Sequence, residues 1–504
     1  MIAAHGPILP LILPLAVAIL LLFLPRRAQR LIRRLSVAGS VAQVGLGLLL
    51  LRTVAEGTQL VYRLGDWPAP YGIMLVVDRL AAWLLLTSAL LALCALIYAL
   101  AGGDREGRYF HVLFQMQIFG ISGAFVTGDL FNLFVFFEVL LISSYSLLLH
   151  GGGGPRTRAG LHYVILNLLG SAIFLLAAGL IYSSCGSLNF AHLAQLMAGL
   201  DDSQLALART GGLLLLVVFA LKAGIMPLHL WLPAAYSETS APIAALFAIM
   251  TKIGLYAILR MSTLVFGSSA GSLAGLYQPW LLPLALLTLL IGAAGALAAA
   301  RLGRLAAYLI ILSVGTLLTA FAGGTGGIAA GLYYLPHSTF AAASLFLCAG
   351  ALRRCRPVIG DQLIADGDLP QPLIMGGTFF LAAMAISGLP PFSGFIAKLL
   401  ILKALPQVLV WGVILTTALA AVIALARGGS QIFLAASGPM TLPRDGKSVV
   451  LVTSLWEVPA IAGLLILIFI LTLAAGPALE FTQDTARQIL EPANYIQAVL
   501  GGGS

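Results

Sequence analysis

Apolar residues fill this chain in blocks of about twenty, separated by short stretches that carry glycine, proline, arginine or acids. A helix needs about 20 predominantly apolar residues to cross the hydrocarbon layer of a membrane. Fourteen blocks meet that pattern, at about 7–24, 35–51, 79–100, 110–126, 130–149, 161–182, 213–233, 243–262, 280–300, 305–322, 327–350, 373–403, 407–426 and 449–475. They predict an all-α polytopic membrane protein with no soluble catalytic domain. Residues 52–78, with Gly65, Pro68, Pro70 and Gly72 among short apolar alternations, predict a hairpin outside the membrane. The NFAHLAQLMAGL segment within 183–210 predicts a short surface helix.

Two blocks are interrupted. The seventh carries Lys222 near its middle, with Gly224 and Pro227 just after it. Proline removes a helix donor and glycine loosens the turn, so the helix breaks beside the lysine. The twelfth contains GLPPFSGFIAKLL, in which Gly388, Pro390, Pro391 and Gly394 break the helix and Lys398 follows. Broken backbone at membrane depth is tolerated where it is buried in protein or lines a cavity. The two breaks lie five spans apart. Two consecutive five-helix units would then have opposite orientation, the inverted-repeat plan in which transporters place ion sites at paired discontinuous helices. The corresponding division is 1–109 for the first three helices and the hairpin, 110–262 and 263–427 for the two repeats, and 428–504 for a cytoplasmic segment, the last helix and an external tail. Lys222 precedes its break whereas Lys398 follows its own.

Composition agrees with the block pattern: 60% of the 504 residues are hydrophobic and 9% charged. A net charge of +9 would suggest nucleic acid in a soluble protein, but the position of the charge decides otherwise. Arg26, Arg27, Arg30, Arg33 and Arg34 follow the first span, which makes that loop cytoplasmic and the N-terminus external. Alternation puts Arg105, Arg108, Arg156, Arg158, Arg301, Arg304, Arg353, Arg354, Arg356, Arg427, Arg444 and Lys447 on the same side, and the C-terminal tail outside. Arg52, Arg63, Arg79, Arg209, Arg260 and Arg487 fall on the opposite side. Residues 1–24 lack a basic leader region and predict a retained first helix. The four cysteines have no CxxC spacing, so neither a metal centre nor a disulfide framework is expected.

The lysines carry the sharpest chemical signal. There are five, Lys222, Lys252, Lys398, Lys403 and Lys447, among 27 basic residues, and four of them lie in spans while the loops use arginine. A charge at the bilayer centre costs about 2.5–3.5 kcal/mol on insertion scales. A lysine amine can be desolvated into the titratable range, whereas guanidinium stays charged, so this distribution suits proton carriage better than anchoring. Glu138 is the only acid deep within a span. Placed within a few ångströms of Lys222 it would hold that amine protonated, either as a switch or as a static pair that cements the bundle. Lys252 and Lys398 have no acid near them in sequence. His337 in YYLPHSTF suits proton relay, with packing as the alternative. Lys403 sits near a helix end, where it can snorkel to the interface. His229 marks a candidate entrance, Glu457 lies toward the end of its span, and His111 and His162 read as interfacial. No GxGxxG after a strand, P-loop, HExxH or nucleophile elbow occurs, so no nucleotide, metal or redox cofactor is expected.

DLFNLFVFFEVLLISSYSLLL (Asp129 to Leu149), LKAGIMPLHLWLPAAYSETSAPIAAL (Leu221 to Leu246) and GLPPFSGFIAKLL (Gly388 to Leu400) resemble the antiporter-like family. That family comprises subunits of multisubunit Mrp-type sodium/proton antiporters and the pumping subunits of respiratory complex I. The resemblance spans roughly the third to thirteenth helices. It implies about 14 transmembrane helices, inverted five-helix repeats with broken helices seven and twelve, and a central hydrophilic axis. It assigns Glu138, Lys222, Lys252 and Lys398 to the family's functional positions on helices five, seven, eight and twelve. Lysine at 398 favours the Mrp branch over complex I. The FFEVLLISSYSLLL wording and the absence of a long lateral helix favour the shorter of the two large Mrp subunits over the much longer one. Many relatives carry a second basic residue one turn after the helix-eleven histidine, whereas here Ser338 to Ala343 follow His337.

The expected function is therefore a proton-translocating subunit of a monovalent cation/proton antiporter in the cell membrane. Protons would pass along Glu138, Lys222, Lys252, His337 and Lys398, and the partners would be the other subunits, of Mrp A, B, C, E, F and G type, and membrane lipids. A redox-driven proton pump subunit and a passive membrane scaffold are the alternatives.

Overall fold

The computed structural model describes residues 5–366, 369, 371–435 and 457–501, in which the chain is a bundle of apolar helices. Arg444, Lys447 and the expected start of the last span lie outside the described residues. Helices α1 (Leu9–Phe23) and α2 (Gln29–Val54) lead to the external hairpin, where β1 (Leu60–Arg63) pairs antiparallel with β2 (Met74–Val77), Leu60 opposite Val77. Then come α3 (Arg79–Ala99), α4 (Phe110–Val126), α5 (Leu130–Leu148), α6 (Gly154–Cys185), the short α7 (Phe190–Leu196) and α8 (Asp202–Ala223). After the first break follow α9 (Trp231–Glu238), α10 (Ala241–Phe247), α11 (Met250–Arg260), α12 (Gln278–Ala298), α13 (Leu302–Phe321) and α14 (Gly324–Cys355). The second break separates α15 (Pro372–Ser387) from α16 (Ser393–Ala404), and α17 (Val408–Gly429), α18 (Glu457–Leu473), α19 (Ala475–Leu490) and α20 (Ala493–Leu500) complete the chain.

Among the described residues, ten helices are long and apolar enough to cross a membrane on their own. They correspond to all the expected spans except the first, fourth, twelfth and fourteenth. Helices α1 and α4 are shorter, the twelfth span is split in two, and α18 and α19 meet at an 80° bend. One boundary moves by nearly a dozen residues: α8 starts at Asp202, not near 213. Asp201 and Gln204 form a capping box that satisfies the first-turn amides, so the helix begins well ahead of its apolar run.

Buried prolines expose how the bundle keeps its backbone paired. Pro336 in α14 cannot donate to the Leu332 carbonyl, and Trp83 Nε1 from α3 donates to it at 2.9 Å instead. Pro14 in α1 frees the Pro10 carbonyl, which accepts from Gln43 Nε2 of α2 at 3.0 Å.

The arginine-rich connections meet at one end. Arg301 bonds to Glu238 at 2.7 Å and to Asp361 at 3.0 Å, Arg353 bonds to Asp361 and to the Ser237 carbonyl, and Arg156 bonds to the Glu238 carbonyl. Burial pushes the Asp361 carboxyl up, but Arg353, Arg301 and the Gly303 amide outweigh it and hold it below the ordinary carboxylate range. Asp104 behaves alike: burial raises it, and His111 with Arg33 brings it below the usual value. His111, expected at the interface, is therefore buried against Asp104 at 3.2 Å. The hairpin and the C-terminal tail share the other end, where Arg79 pairs with Asp484 and Gln488 donates to the Gly57 carbonyl.

Candidate proton-relay site

The two breaks are built alike in their backbone. Gly224 closes α8 and Gly388 closes α15, both left-handed, with φ of 72° and 74°. That region costs a side-chain-bearing residue energy but not glycine. In each break the next amide reaches back five residues, Ile225 to the Ala220 carbonyl at 2.9 Å and Leu389 to the Met384 carbonyl at 3.1 Å. The following turns also match, with Leu228 donating to Ile225 and Phe392 to Leu389.

On this register Lys222 stands two residues before its glycine, where the second break has Ile386. Lys398 stands ten after its glycine, where the first has Ala234. The lysines are not equivalent across the two breaks. Both breaks nonetheless leave helix C-terminal carbonyls in need of donors, and different side chains supply them. Trp231 Nε1 donates to the Leu221 carbonyl at 3.0 Å. In the second break His337 Nε2 bonds to the Ala385 carbonyl at 2.9 Å and Lys398 Nζ to the Ser387 carbonyl at 2.8 Å. An ammonium at a helix C-terminus also meets the negative end of the helix dipole.

At the first break the expected Glu138–Lys222 contact is not closed. Glu138 Oε1 accepts from Ser171 Oγ of α6. Lys222 Nζ lies 5.7 Å from the Phe137 ring centroid and has no hydrogen-bond partner among the described residues. The three nonetheless share a layer: Phe137 precedes Glu138 on α5, and Leu221 of α8 packs against Gly170 beside Ser171. Lys252, on α11, is fully buried, and its Nζ bonds to Ser313 Oγ of α13 at 3.3 Å. One turn further along α13, Thr316 Oγ1 donates to the Leu312 carbonyl at 3.0 Å, and on α14 the Tyr334 ring centroid lies 5.9 Å from that of His337. His337 Nδ1 contacts Ser393 Oγ of α16 at 2.8 Å.

The structure thus places His337 and Lys398 on neighbouring carbonyls at the C-terminus of α15, and Lys252 on Ser313 of α13. It holds Glu138 and Lys222 in a separate layer, linked to Lys252 where Gly254 of α11 seats against the α8 backbone at Phe219 and Ala223. Among the described residues no lysine forms an ion pair with an acid. Lys403 is exposed. His229 is buried in the turn between α8 and α9. Glu457, expected near an interface, is buried and paired with Arg354 at 3.2 Å. Arg260, expected on the external side, turns inward to a bidentate pair with Asp78 at 2.7 and 3.0 Å. The polar neighbours Ser171, Ser313, Tyr334 and Ser393 were not singled out in the sequence. Their signal is faint: small polar residues inside otherwise apolar spans.

A membrane bundle with two broken helices, each with a buried lysine beside it, defines a class of ion-translocating subunit, and comparison with known proteins places it. The sequence model of the family described as "NADH:quinone oxidoreductase/Mrp antiporter, TM" matches residues 127–424, and the chain belongs to that family. Within it, the chain is 40% identical to the D subunit of the probable K(+)/H(+) antiporter of Rhizobium meliloti (strain 1021), covering 98% of this chain and 97% of that protein. It is 35% identical to the D subunit of the Na(+)/H(+) antiporter of Alkalihalophilus pseudofirmus, covering 98% and 99%. Its fold matches a chain in the structure of the Mrp complex from Dietzia sp. DQ12-45-1b with a TM-score of 0.87 at 28% identity, covering 98% and 99%. It also matches a chain of respiratory complex I from Thermus thermophilus with a TM-score of 0.79, covering 98% and 100%; at 24% identity this concerns the fold alone.

Proposed function

We propose that this chain is the D-type subunit of a multisubunit monovalent cation/proton antiporter and that it carries the proton path of that complex. It works in the bacterial cell membrane beside the other antiporter subunits, as the names of its relatives suggest. The arginine-rich end faces the cytoplasm, and the N-terminus, hairpin and tail face outside. Residues 110–262 and 263–427 act as the two repeats, each contributing one break.

The observation that carries the relay is the state of its members. Lys222, Lys252, His337 and Lys398 are 6%, 0%, 0% and 8% exposed, and none is paired to a carboxylate among the described residues. A static structural lysine inside a membrane is ordinarily compensated by a counter-charge. These amines instead face hydroxyls, helix carbonyls or an aromatic ring, surroundings in which an amine can exist with or without its proton. Glu138 is the switch: bonded to Ser171 it is turned from Lys222, and released from Ser171 it stabilises the protonated amine. Protons pass from Lys222 to Lys252, on to His337 by way of Ser313, Thr316 and Tyr334, and leave near Lys398. The membrane potential supplies about 2.3 kcal/mol per charge per 100 mV, comparable with one such charge shift.

The test is cation-dependent proton flux in everted vesicles that contain the whole complex. Glu138→Ala and Lys222→Ala are expected to abolish flux while the complex still assembles. Wild-type flux from either variant refutes the switch, and flux that requires an electron donor rather than sodium or potassium would place the chain in a redox-driven pump.

A further inference from the structure

The hydrogen bonds around His337 determine which of its atoms can exchange a proton. Nε2 faces the Ala385 carbonyl oxygen at 2.9 Å, and a carbonyl has no proton to give, so Nε2 must be the donor. The neutral ring therefore keeps its lone pair on Nδ1. That atom faces Ser393 Oγ at 2.8 Å, and both residues are fully buried. Gly394, where a Cβ would stand 2.2 Å from Nε2, lets the start of α16 wrap the ring. Tyr333, one turn before His337 on α14, donates to the Leu471 carbonyl of α18 at 3.0 Å. The Ser393 amide donates to Thr472 Oγ1 at 2.8 Å, so the last turn of α18 fixes the serine from its backbone as well.

We infer that Ser393 is the obligatory proton bridge of His337, the group through which Nδ1 exchanges its proton. The inference deepens the proposed relay and rests on it. The step balances without any further reactant. As the Nδ1–H bond forms, the Ser393 Oγ–H bond breaks, and the transported proton replaces that of Ser393. Lys398 lies on the other side of the α15 C-terminus, on Ser387 rather than Ala385, and draws on the relay without contacting Ser393.

The decisive comparison is Ser393→Thr against Ser393→Val, two side chains of one shape with and without the hydroxyl, in the assembled complex in everted vesicles. Ser393→Thr is expected to retain at least about half of the proton flux, and Ser393→Val to lose roughly tenfold or more, in keeping with what a positioned proton-transfer group contributes. His337→Ala separates the two levels of the proposal. If it is inactive while Ser393→Val runs at the wild-type rate, the bridge is refuted and the relay stands; if it runs at the wild-type rate, the relay itself is refuted. Equal loss in the Thr and Val variants would mean that Ser393 matters only for packing and would also overturn the inference.

Discussion

Gly388→Ala tests the position of Lys398 without touching its charge. The glycine sits at φ +74°, and a Cβ there would stand 2.9 Å from Lys398 Cδ, 2.9 Å from Nζ and 3.0 Å from Cε. The left-handed backbone costs a non-glycine residue about 1–2 kcal/mol. Forcing a methyl into a packed site costs about 1–3 kcal/mol more if nothing yields. The cheapest group to yield is the flexible lysine, held at its tip by one charge-assisted bond to the Ser387 carbonyl at 2.8 Å. Such a bond contributes about 1.5–3 kcal/mol. The structure therefore relaxes by swinging Lys398 off the helix end. The clash works against that bond, so the net bias away from the native placement reaches about 1.5 kcal/mol, and at about 1.4 kcal/mol per factor of ten that placement falls to as little as roughly a tenth of its former population.

Cation-dependent proton flux in everted vesicles, normalised to the amount of assembled complex, should drop by up to the same factor of roughly ten. A double-mutant cycle with Lys398→Met supplies the control. If the alanine acts through the lysine, the double variant is no slower than Lys398→Met alone, because residues acting as one unit are not additive. Wild-type flux in Gly388→Ala, or fully multiplicative losses in the double variant, would refute the assignment of Lys398 to the path.

Three further outcomes follow from contacts elsewhere in the bundle. Arg260→Met leaves Asp78 buried without its cation and should destabilise the purified protein by about 3–5 kcal/mol, with much of the loss recovered in Arg260→Met/Asp78→Asn; thermal unfolding in detergent measures both. Asp361 is held below its ordinary value, so its contribution is fully present above the unfolded carboxylate value near ~3.9 and disappears as pH falls through the lower folded value. Asp361→Asn should therefore cost about 1–3 kcal/mol at pH 7, and the difference from the parent protein should vanish in strong acid, as read by unfolding at a series of pH values. Gly254→Ala would place a Cβ 2.6 Å from the Ala223 amide and 2.8 Å from the Phe219 carbonyl. Backbone cannot yield as a side chain does, so α11 is pushed from α8, and loss of about 1–3 kcal/mol should appear as reduced assembled complex.

The parts of this protein set by local chemistry were legible in the sequence. Apolar block length located the spans, the hairpin fell between β1 and β2 as its turn residues imply, and Gly224 and Gly388 marked both breaks. Contacts between distant segments were not legible. Asp78 and Arg260 are separated by 182 residues, and nothing near either one announces the other. Arg260 looked like an ordinary external arginine because the side rule counts charge at helix ends and is blind to the direction of a side chain. Glu457 misled in the same way, since a helix end that faces Arg354 is not a helix end that faces lipid headgroups.

The non-equivalence of Lys222 and Lys398 is the point at which sequence and geometry together say more than either alone. Sequence puts a lysine beside each break, which suggests a duplicated site. Geometry aligns the breaks by their glycines and leaves the lysines on opposite sides of them. Lys222 lies inside the helix that ends at its break and has no hydrogen-bond partner among the described residues. Lys398 lies in the helix that begins after its break and reaches back to cap the one before. An unpartnered amine near a carboxylate is easily switched by a small movement of that carboxylate, whereas an amine anchored on helix carbonyls has a resting place for its positive charge. Equivalent sites would give the proton no reason to move from one to the other. In the proposed relay, two breaks of the same backbone, furnished differently, would supply a switched end and a holding end, and His337 stands next to the second because the same α15 terminus that holds Lys398 also fixes its tautomer.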